Sequence, residues 1–538
     1  MAGTTVLVSS IGLPFTAPPE EAYALARAQL NRRGARPQNA EYRIYRRSVD
    51  ARKREDIRFV YSVAVSGDFS MKELTRLSQA GIRPLVEEAP QVGQGNELLS
   101  ARPLVVGSGP AGLFAAMLLA ERGYCPLLIE RGGNVAERVA ATAAFAQTRV
   151  LDPETNIQFG AGGAGTFSDG KLLTRVNDPM NAYVLSRLVQ FGAPPEILTQ
   201  AKPHIGTDIL RTVVTRMLSY IEEQGGEVRF HTRLSDLVFS SDRIAAAVTA
   251  DGETIPCGAL ILAVGHSARD TYEMLLSHGL DIVAKPFSVG LWVEHLQEDV
   301  DAALYGRFAG HPLLGHAEYA LSDRSGERGV YTFCMCPGGE VVAAASEAGG
   351  VVVNGMSAHA RDGRNANAAV AVSVNCEDYG STPMGAIDFV RRIERAAYAA
   401  GGADYSAPSC LMGDFLDGKE GSAPDRILPS YMDGGVRLAS PDRYLPEFIC
   451  RSLRHSLPVF ERQLRGYTVA DAVLTGPETR TSAPVRILRG EARTANGVHN
   501  LYPCGEGAGY AGGITSAALD GLHTACAICG RFAPLAKN

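Results

Sequence analysis

The sequence predicts an α/β fold in three parts: a split Rossmann-like dinucleotide-binding domain, an α+β domain inserted into it, and a ferredoxin-like N-terminal domain. Three observations predict this fold. A β run at 104–106 passes through a glycine-rich turn into an apolar helix. A second strand, glycine turn and helix pattern occupies 501–529. Roughly ninety residues with the order strand, helix, strand, strand, helix, strand precede the first of these units.

A chain of 538 residues is too long for one compact core, so the motifs are expected to lie in separate domains. A linker rich in Gly, Gln and Asn at 90–100 separates the first domain from the rest. The predicted segments are the N-terminal domain at 1–95, the first part of the dinucleotide-binding domain at 101–271, a substrate domain at 272–465 and the closing part of the dinucleotide-binding domain at 466–538.

The composition is that of a globular protein, with 46% hydrophobic residues, 20% charged residues and a mean hydropathy of −0.02. A net charge of −6 excludes a whole-protein field that would hold a polyanion. No apolar stretch approaches the ~20 residues needed to cross a bilayer, so no membrane span is predicted. Residues 1–12 lack the features of a secretory signal, which predicts a cytoplasmic protein.

The ten cysteines are scattered through apolar runs and predict reduced thiols rather than a disulfide framework. The single C-x2-C unit, Cys526 to Cys529, lies in an apolar helix pattern, and no second unit completes a zinc site. No metal is therefore expected.

Hydrophobic periodicity and flanking Gly, Pro or Asp residues define the elements of the N-terminal domain. The predicted strands are 4–9, 41–48, 56–65 and 82–86, and the predicted helices are 19–31 and 71–79. The segment 27–58 holds eleven Lys or Arg against four acidic residues. A ferredoxin-like sheet with a basic face can bind RNA, but no aromatic stacking pattern accompanies this charge. A solvated face is therefore favoured, and nucleic acid is not expected as a partner.

The first glycine turn carries the fingerprint of a dinucleotide site. Gly107, Gly109 and Gly112 have the G-x-G-x-x-G spacing that serves a tight turn, the approach of a pyrophosphate and helix packing. Glu130 ends the second β run, at roughly the 20-residue distance expected of the acid that binds ribose hydroxyls. Arg131 beside it leaves a phosphorylated ribose open. The predicted contacts of this unit are Gly107, Gly109, Pro110, Ala111, Gly112, Glu130 and Arg131.

The C-terminal turn favours FAD over NAD as the ligand. In FAD enzymes of the two-dinucleotide-binding type, a Gly-Asp pair at this place binds the ribityl chain, and the next helix start faces the flavin pyrimidine. This chain has Gly505 and Glu506 there, and the helix dipole would stabilise negative charge on the reduced flavin. The split Rossmann-like domain is therefore predicted to be an FAD-binding domain. Its C-terminal contacts are predicted at Gly505, Glu506, Gly512, Gly513 and Ile514.

Two further segments are predicted to contact the same FAD. Residues 259–266 resemble the strand that brings flavoprotein chains back past FAD, which commonly ends in A-T-G. Residues 159–171 are rich in glycine, which lets backbone N–H groups approach an anion or the ring edge, although a flexible loop is the alternative. The predicted contacts are Gly162, Gly163, Gly165, Thr166 and Gly265.

Longer motifs resemble one known family across nearly the whole chain. They are F-G-x-G-G-A-G-T-F-S-D-G-K-L at 159–172, G-H-S-A-R-D at 265–270, C-M-C-P-G-G at 334–339, E-T-R-T-S-A-P-V-R at 478–486 and G-E-G-A-G-Y-A-G-G-I at 505–514. Together they resemble the uncharacterised FAD-dependent dehydrogenase family. That resemblance implies an FAD-dependent oxidoreductase fold, related to flavoproteins that are similar to fumarate reductase. It implies no particular substrate.

Four residues are the candidates for catalysis. His266 follows the returning strand and is a candidate acid or base, with a turn cap as the alternative. Cys334 and Cys336 form a C-x-C unit before a turn, where they are either a redox pair or small buried apolar residues. Arg480 precedes the C-terminal turn and is a candidate clamp for a substrate carboxylate, with a surface ion pair as the alternative.

These observations predict an FAD-dependent oxidoreductase, a dehydrogenase or reductase, whose flavin exchanges electrons or hydride with a small organic substrate. Only one dinucleotide site is visible, so NAD(P)H is expected at most as a transient partner. An RNA-modifying flavoprotein, motivated by the basic N-terminal segment, is one alternative. A non-catalytic flavin redox sensor, motivated by the C-x-C unit, is the other. No oligomeric state is predicted.

Overall fold

The computed structural model describes residues 4–419 and 421–534. The strands are β1 (Thr4–Pro14), β2 (Gln38–Asp50), β3 (Arg58–Asp68), β4 (Leu104–Val106), β5 (Leu127–Ile129), β6 (Glu227–Arg229), β7 (Leu234–Ser240), β8 (Arg243–Thr249), β9 (Thr254–Pro256), β10 (Leu260–Leu262), β11 (Ile282–Ala284), β12 (Phe287–Leu296), β13 (Ser322–Asp323), β14 (Val330–Cys336), β15 (Glu340–Ala343), β16 (Val353–Met356), β17 (Asn365–Val374), β18 (Ala407–Leu411), β19 (Val436–Leu438), β20 (Val473–Glu478), β21 (Val485–Ile487) and β22 (Leu501–Pro503). The α-helices are α1 (Glu21–Arg32), α2 (Met71–Gln79), α3 (Pro110–Glu121), α4 (Val135–Thr148), α5 (Asn181–Gln190), α6 (Thr207–Glu223), α7 (Arg269–Ser277), α8 (Gln297–Tyr305), α9 (Cys376–Tyr379), α10 (Pro383–Ala400), α11 (Met412–Asp417), α12 (Glu447–Gln463) and α13 (Ile514–Arg531). Within the described ranges, none of these helices has both the length and the apolar character that a membrane span requires.

The N-terminal unit is an antiparallel sheet in the order β1-β3-β2, with α1 packed on it. The predicted strand at 82–86 is not formed as a regular strand: it pairs with β1 through a single bridge between Pro84 and Val6. Proline has no N–H to donate, so the ladder does not extend through it. The long β2 and β3 account for most of this sheet.

The dinucleotide-binding domain is built on a five-stranded parallel sheet in the order β22-β10-β4-β5-β6. Its strands β4, β5, β10 and β22 are fully buried, which explains why they read as short unbroken apolar runs. Helix α13, from the end of the chain, packs along α3, from its first third. This parallel sheet confirms the α/β fold class and the Rossmann-like domain, and brings the carboxyl ends of its strands to one edge.

The chain between β6 and β10 forms a small antiparallel sheet in the order β7-β8-β9. The chain between β10 and β22 contains a seven-stranded sheet in the order β13-β14-β17-β12-β20-β18-β19. Its central strands β12 and β17 are almost entirely buried, and Trp292 of β12 has no exposed surface. Because β20 pairs with β12 and β18, this sheet extends to Glu478, beyond the predicted boundary at 465.

Candidate functional site

A cavity of about 1160 Å³ lies where the two large sheets face each other. Residues that follow β4, β5 and β10 line one side of it, and residues of β13 and β14 line the other. The start of α13 closes part of the same cavity. One continuous space therefore joins the carboxyl edge of the parallel sheet, where dinucleotides bind in such folds, to the seven-stranded sheet.

The three glycines of the first turn differ in what a side chain at each position would meet. A Cβ on Gly107, which has φ +100°, would lie 2.4 Å from the Ala263 carbonyl oxygen, and one on Gly112 would lie 1.9 Å from the Gly107 carbonyl oxygen. Both positions need glycine for packing. Gly109 has an ordinary φ of −67°, and a Cβ there would meet no atom within 4 Å. Gly109 therefore leaves the N-terminus of α3 open toward the cavity, with first-turn N–H groups free to bind an anion.

The Glu130 carboxylate is buried at the end of β5 and accepts four hydrogen bonds. The backbone N–H and hydroxyl of Ser108 donate to Oε2 over 2.9 and 2.7 Å, and the N–H groups of Gly132 and Gly160 donate to Oε1 over 3.1 and 3.0 Å. Through these hydrogen bonds Glu130 links the first glycine turn to Gly160, which lies in the glycine-rich loop at 156–163. It lines the cavity, where a ribose hydroxyl could take the place of the Ser108 hydroxyl.

Arg131 is held by ion pairs rather than left free for a phosphate. Its Nε donates to Glu154 over 2.9 Å, its Nη1 and Nη2 donate to Asp270 over 3.1 and 2.9 Å, and its guanidinium lies over the Phe159 ring. With both carboxylates bound, this arginine offers little recognition for a phosphorylated ribose. Arg131 nevertheless lines the cavity.

The glycine-rich loop at 156–163 wraps around the fully buried side chain of Arg138, which α4 supplies. The guanidinium donates to four backbone carbonyl oxygens, those of Asn156, Ile157, Ala161 and Gly163, over 2.6 to 3.1 Å. It also stacks on the Phe167 ring. Burial, together with the Arg211 charge, lowers the pKa of Arg138 to about 9, although the Glu130 charge opposes this. This arginine fixes the shape of a loop that polar backbone groups alone would leave mobile.

The C-terminal turn brings a second helix start to the cavity. Gly512 and Gly513 precede α13, and a Cβ on either would meet no atom within 4 Å. Glu506 lines the cavity, and burial raises its pKa to about 7, opposed by the nearby Lys285 ammonium. Gly505 serves packing instead, since a Cβ there would lie 2.7 Å from the Ala111 methyl group.

His266 and Arg480 both line the cavity. Burial, together with the positive charges of Arg480 and Arg269, lowers the pKa of His266 to about 3, so its imidazole is neutral at physiological pH. The Arg480 guanidinium is already paired with the buried Glu394 over 3.0 Å. Its Nη1 has no hydrogen-bond partner among the described residues, which leaves one donor direction for a ligand. The surface ion pair that was the alternative for Arg480 is instead a buried one.

Cys334 lines the cavity, whereas Cys336 is buried behind it. Strand β14 has a bulge between Phe333 and Cys336 relative to β17, and Cys334 takes a left-handed conformation with φ +49°. The Cys336 thiol donates to the Cys334 carbonyl oxygen over 3.1 Å, and Lys171 Nζ lies 3.9 Å from the Cys336 sulfur. The C-x-C unit is therefore a strained corner of the cavity wall rather than part of a regular strand.

Most of the predicted site residues line this cavity, although they are distant from one another in the sequence. The predicted contacts that line it are Gly107, Gly109, Pro110, Ala111, Glu130, Arg131, Gly163, Gly165, Gly265, Glu506, Gly512, Gly513 and Ile514, with the catalytic candidates His266, Cys334 and Arg480. Four predicted contacts and one catalytic candidate lie behind its wall, namely Gly112, Gly162, Thr166, Gly505 and Cys336. Thr166 donates its hydroxyl to the Ala161 carbonyl oxygen and so supports the loop from inside.

Sequence reasoning missed Arg138, Lys285 and Glu478, and did not single out Lys171 within its motif. Glu478 is buried, accepts from the Trp292 indole over 2.7 Å, and has its pKa raised to about 7 by burial. An isolated arginine or lysine reads as a surface residue in a sequence, so nothing local marked Arg138 or Lys285. The only available signal was the presence of Lys171 and Glu478 in the longer motifs.

These features fit an FAD molecule. Two open helix starts, the buried carboxylate of Glu130 and a cavity of about 1160 Å³ are suited to an extended dinucleotide with a tricyclic ring. The absence of any Cβ at Gly109 and Gly513 keeps both ends of that space clear. Residues 107–113 and 505–514, the two turns, would bind the pyrophosphate and the flavin part of the same ligand.

Comparisons with known proteins agree with this fit. Residues 286–481 match the family described as "FAD-dependent protein, C-terminal domain-like", residues 105–164 match "NAD(P)-binding Rossmann-like domain", and residues 10–66 match a domain of unknown function. An uncharacterized protein of Clostridium beijerinckii is 44% identical over 496 residues, which cover 91% of this chain and 92% of the relative.

Matches among solved structures include CtdE in complex with FAD, at 10% identity and a TM-score of 0.33, covering 80% of this chain and 84% of that one. The flavin-dependent brominase Bmp2, as a triple mutant, is 12% identical with a TM-score of 0.33 and covers 79% of each chain. The family match and the extent of the C. beijerinckii relationship confirm the resemblance on which the sequence prediction rested. The chain belongs to the same family as this C. beijerinckii protein, and it is an FAD-dependent flavoprotein whose cofactor is FAD.

Proposed function

We propose that this protein is an FAD-dependent oxidoreductase, a dehydrogenase or reductase, that acts on a small organic substrate. One observation carries the proposal: a single cavity joins the dinucleotide cradle at Gly109 to the ionisable groups near Arg480 and the thiol of Cys334. A purely structural cofactor site would need no space beyond the flavin. The chain between β10 and β20 is accordingly the substrate domain of this proposal, and the unit before residue 95 is a ferredoxin-like accessory domain.

The two helix starts and two acids are suited to hold the cofactor. The N-terminus of α3 at Gly109 would take the pyrophosphate, and Glu130 the adenosine ribose. Glu506 and the start of α13 at Gly513 would take the ribityl and pyrimidine end. When bound, FAD supplies two-electron transfer to or from the substrate.

The other residues of the cavity wall would orient the substrate. Neutral His266 can accept a proton at Nε2. The Ser267 hydroxyl donates to Gln158 over 3.2 Å, so it accepts the hydrogen on Nδ1 of His266 over 2.8 Å and leaves the lone pair on Nε2. Arg480 offers its unpartnered Nη1 as a hydrogen-bond donor to a carbonyl or carboxylate oxygen. His266 is thus assigned to proton transfer and Arg480 to positioning.

The partner of this proposal is a small molecule and not a nucleic acid. Part of the positive charge of the N-terminal unit is already paired, as in the contacts of Arg43 with Glu87 over 2.5 Å and of Arg52 with Asp50 over 2.6 Å. Such pairing reduces the charge available to phosphates. NAD(P)H remains in the proposal only as a transient electron donor at the same cavity.

The test is anaerobic mixing of the FAD-loaded protein with a panel of hydroxy, amino and enoate substrates and with NADH and NADPH, while the flavin absorbance is followed. We expect one class of compound to reduce the oxidised flavin or to reoxidise the reduced one. His266→Asn should slow that step roughly 10- to 100-fold at unchanged FAD content, because general acid–base assistance is lost.

His499→Asn is the matched control, since His499 is exposed and does not line the cavity, and it should leave the rate unchanged. A panel in which no compound changes the flavin spectrum at all would contradict an oxidoreductase and favour the non-catalytic redox sensor.

A further inference from the structure

The C-x-C unit has a geometry that its sequence spacing alone does not provide. In a regular strand, residues i and i+2 are about 6.6 Å apart, near the upper limit for a disulfide, and their side chains run parallel instead of toward each other. In β14, two residues, Cys334 and Met335, oppose the single residue Ala368 of β17. At this bulge the Cys336 side chain turns back toward residue 334, and its thiol donates to the Cys334 carbonyl oxygen over 3.1 Å.

The two thiols differ in access. Cys334 is partly exposed and lines the cavity, whereas Cys336 is fully buried. Such a pair has one sulfur that an incoming molecule can reach and one sulfur that can reach only its neighbour. This is the arrangement of an attacking and a resolving thiol.

A lysine completes the cluster. Lys171 Nζ is 3.9 Å from the Cys336 sulfur and 2.5 Å from the Asp169 carboxylate, which holds it in place. The neighbouring Cys336 thiol and the Lys171 charge lower the pKa of the Cys334 thiol, although burial and the charges of Asp169 and Glu478 oppose this. The accessible thiol of the pair is therefore the one whose thiolate is favoured.

The backbone is also strained at this point. Cys334 has φ +49°, a left-handed conformation that costs a residue with a Cβ on the order of 1 to 2 kcal/mol. Packing alone does not require a cysteine at this position, because glycine would adopt the same conformation without that cost. The strain directs a reactive side chain into the cavity.

We propose that Cys334 and Cys336 form a redox-active dithiol that exchanges with small organic disulfides entering the flavin cavity. The Cys334 thiolate attacks one sulfur of the disulfide, the S–S bond breaks, and one thiolate leaves. The Cys336 thiol gives up its proton and attacks the Cys334 sulfur, which forms the Cys334–Cys336 disulfide and releases the second thiolate. The protein loses two electrons and two protons, and the organic disulfide becomes two thiols. This site goes beyond the proposed function and does not depend on it.

The experiment exposes the reduced, FAD-loaded protein to buffers of glutathione and glutathione disulfide and identifies the products by peptide mass spectrometry. In the wild type we expect an internal Cys334–Cys336 disulfide, with the other thiols unmodified apart from exposed Cys376. In Cys336→Ser we expect a mixed disulfide with glutathione trapped at Cys334, because the resolving thiol is missing.

Lys171→Met should slow alkylation of Cys334 at neutral pH roughly tenfold, equivalent to about one pKa unit. Cys376→Ser is the control and should change neither result. If Lys171→Met does not retain FAD and a folded spectrum, the products found in the wild type and in Cys336→Ser are sufficient to test the proposal.

Failure of the wild type to form the internal disulfide at any glutathione ratio, with Cys334 no more reactive than Cys376, would overturn the proposal. Neither readout uses flavin turnover, so the result is separate from the oxidoreductase test.

Discussion

At the scale of single residues, the structure separates glycines and acids that look alike in the sequence. Gly107 and Gly112 are required by packing, whereas Gly109 and Gly513 face open space. The G-x-G-x-x-G spacing predicted a tight turn, the approach of a pyrophosphate and helix packing for its three glycines, but it does not say which neighbouring atoms a Cβ would meet. The raised pKa of Glu506 could not be predicted either, because it comes from burial among residues that are distant in sequence.

Glu506 gives a prediction about pH. An unfolded glutamate loses its proton near pH 4.5, whereas buried Glu506 keeps its proton to about pH 7. The native state therefore binds more protons in this interval, and the FAD-free protein loses stability as the pH rises through it. Glu506→Gln avoids the cost of the buried charge and should raise the free energy of unfolding by about 1 to 3 kcal/mol above pH 7, with little change near pH 4.5.

Urea unfolding of the FAD-free proteins at both pH values measures this difference. Glu491→Gln, at an exposed position in the same C-terminal segment, is the control and should show no pH-dependent gain. Equal stabilisation by Glu506→Gln at low and high pH would mean that Glu506 is not held with a raised pKa.

At the scale of elements, the short-range pattern predicted the buried strands of the parallel sheet well, but it did not delimit the strands of the seven-stranded sheet or the contacts between strands. The runs at 104–106 and 126–129 are β4 and β5 with nearly the predicted bounds, because fully buried strands leave a continuous apolar signal. The bulge in β14 and the pairing of β20 with β12 depend on partners far along the chain. No local periodicity encodes either.

The loop at 156–163 gives the element-scale prediction. Arg138→Met keeps the length of the side chain but removes the guanidinium donors to the four loop carbonyl oxygens. The carbonyls of Ala161 and Gly163 keep a hydrogen bond from Thr166, whereas those of Asn156 and Ile157 lose their donors. Each buried carbonyl left unsatisfied costs about 1 to 3 kcal/mol, so we expect a loss of several kcal/mol in stability. The loop peptide should exchange its amide hydrogens at least about tenfold faster, because the opening free energy falls.

Arg122→Met is the control for the Arg138 variant, since Arg122 is an exposed arginine at the end of α3. It should change neither the unfolding midpoint nor the exchange of the loop peptide. Protection of the loop in Arg138→Met equal to that of the wild type would show that Arg138 does not organise it.

At the scale of the whole molecule, one FAD site is assembled from the first third of the chain and from its C-terminus. Helix α3 and helix α13 pack together, and the parallel strands β4, β10 and β22 adjoin, which brings the two glycine turns to one cavity. The sequence predicted this closure because each turn carries its own strand and helix signals. It did not predict that the cavity continues under the seven-stranded sheet, since that sheet is built from non-local pairs.

The measurement that tests this account most directly is the amount of FAD released per chain on denaturation of purified wild type and two glycine variants. The wild type should release about one FAD per chain. Gly109→Val and Gly513→Val should each release less than about a tenth of that while keeping a native circular dichroism spectrum, because their φ values of −67° and 168° suit any residue and only the ligand would meet the new side chain. Gly490→Val, at another open glycine outside the cavity, should keep its full FAD content. Full FAD retention in folded Gly109→Val or Gly513→Val would contradict the assignment of the two turns to a single FAD site.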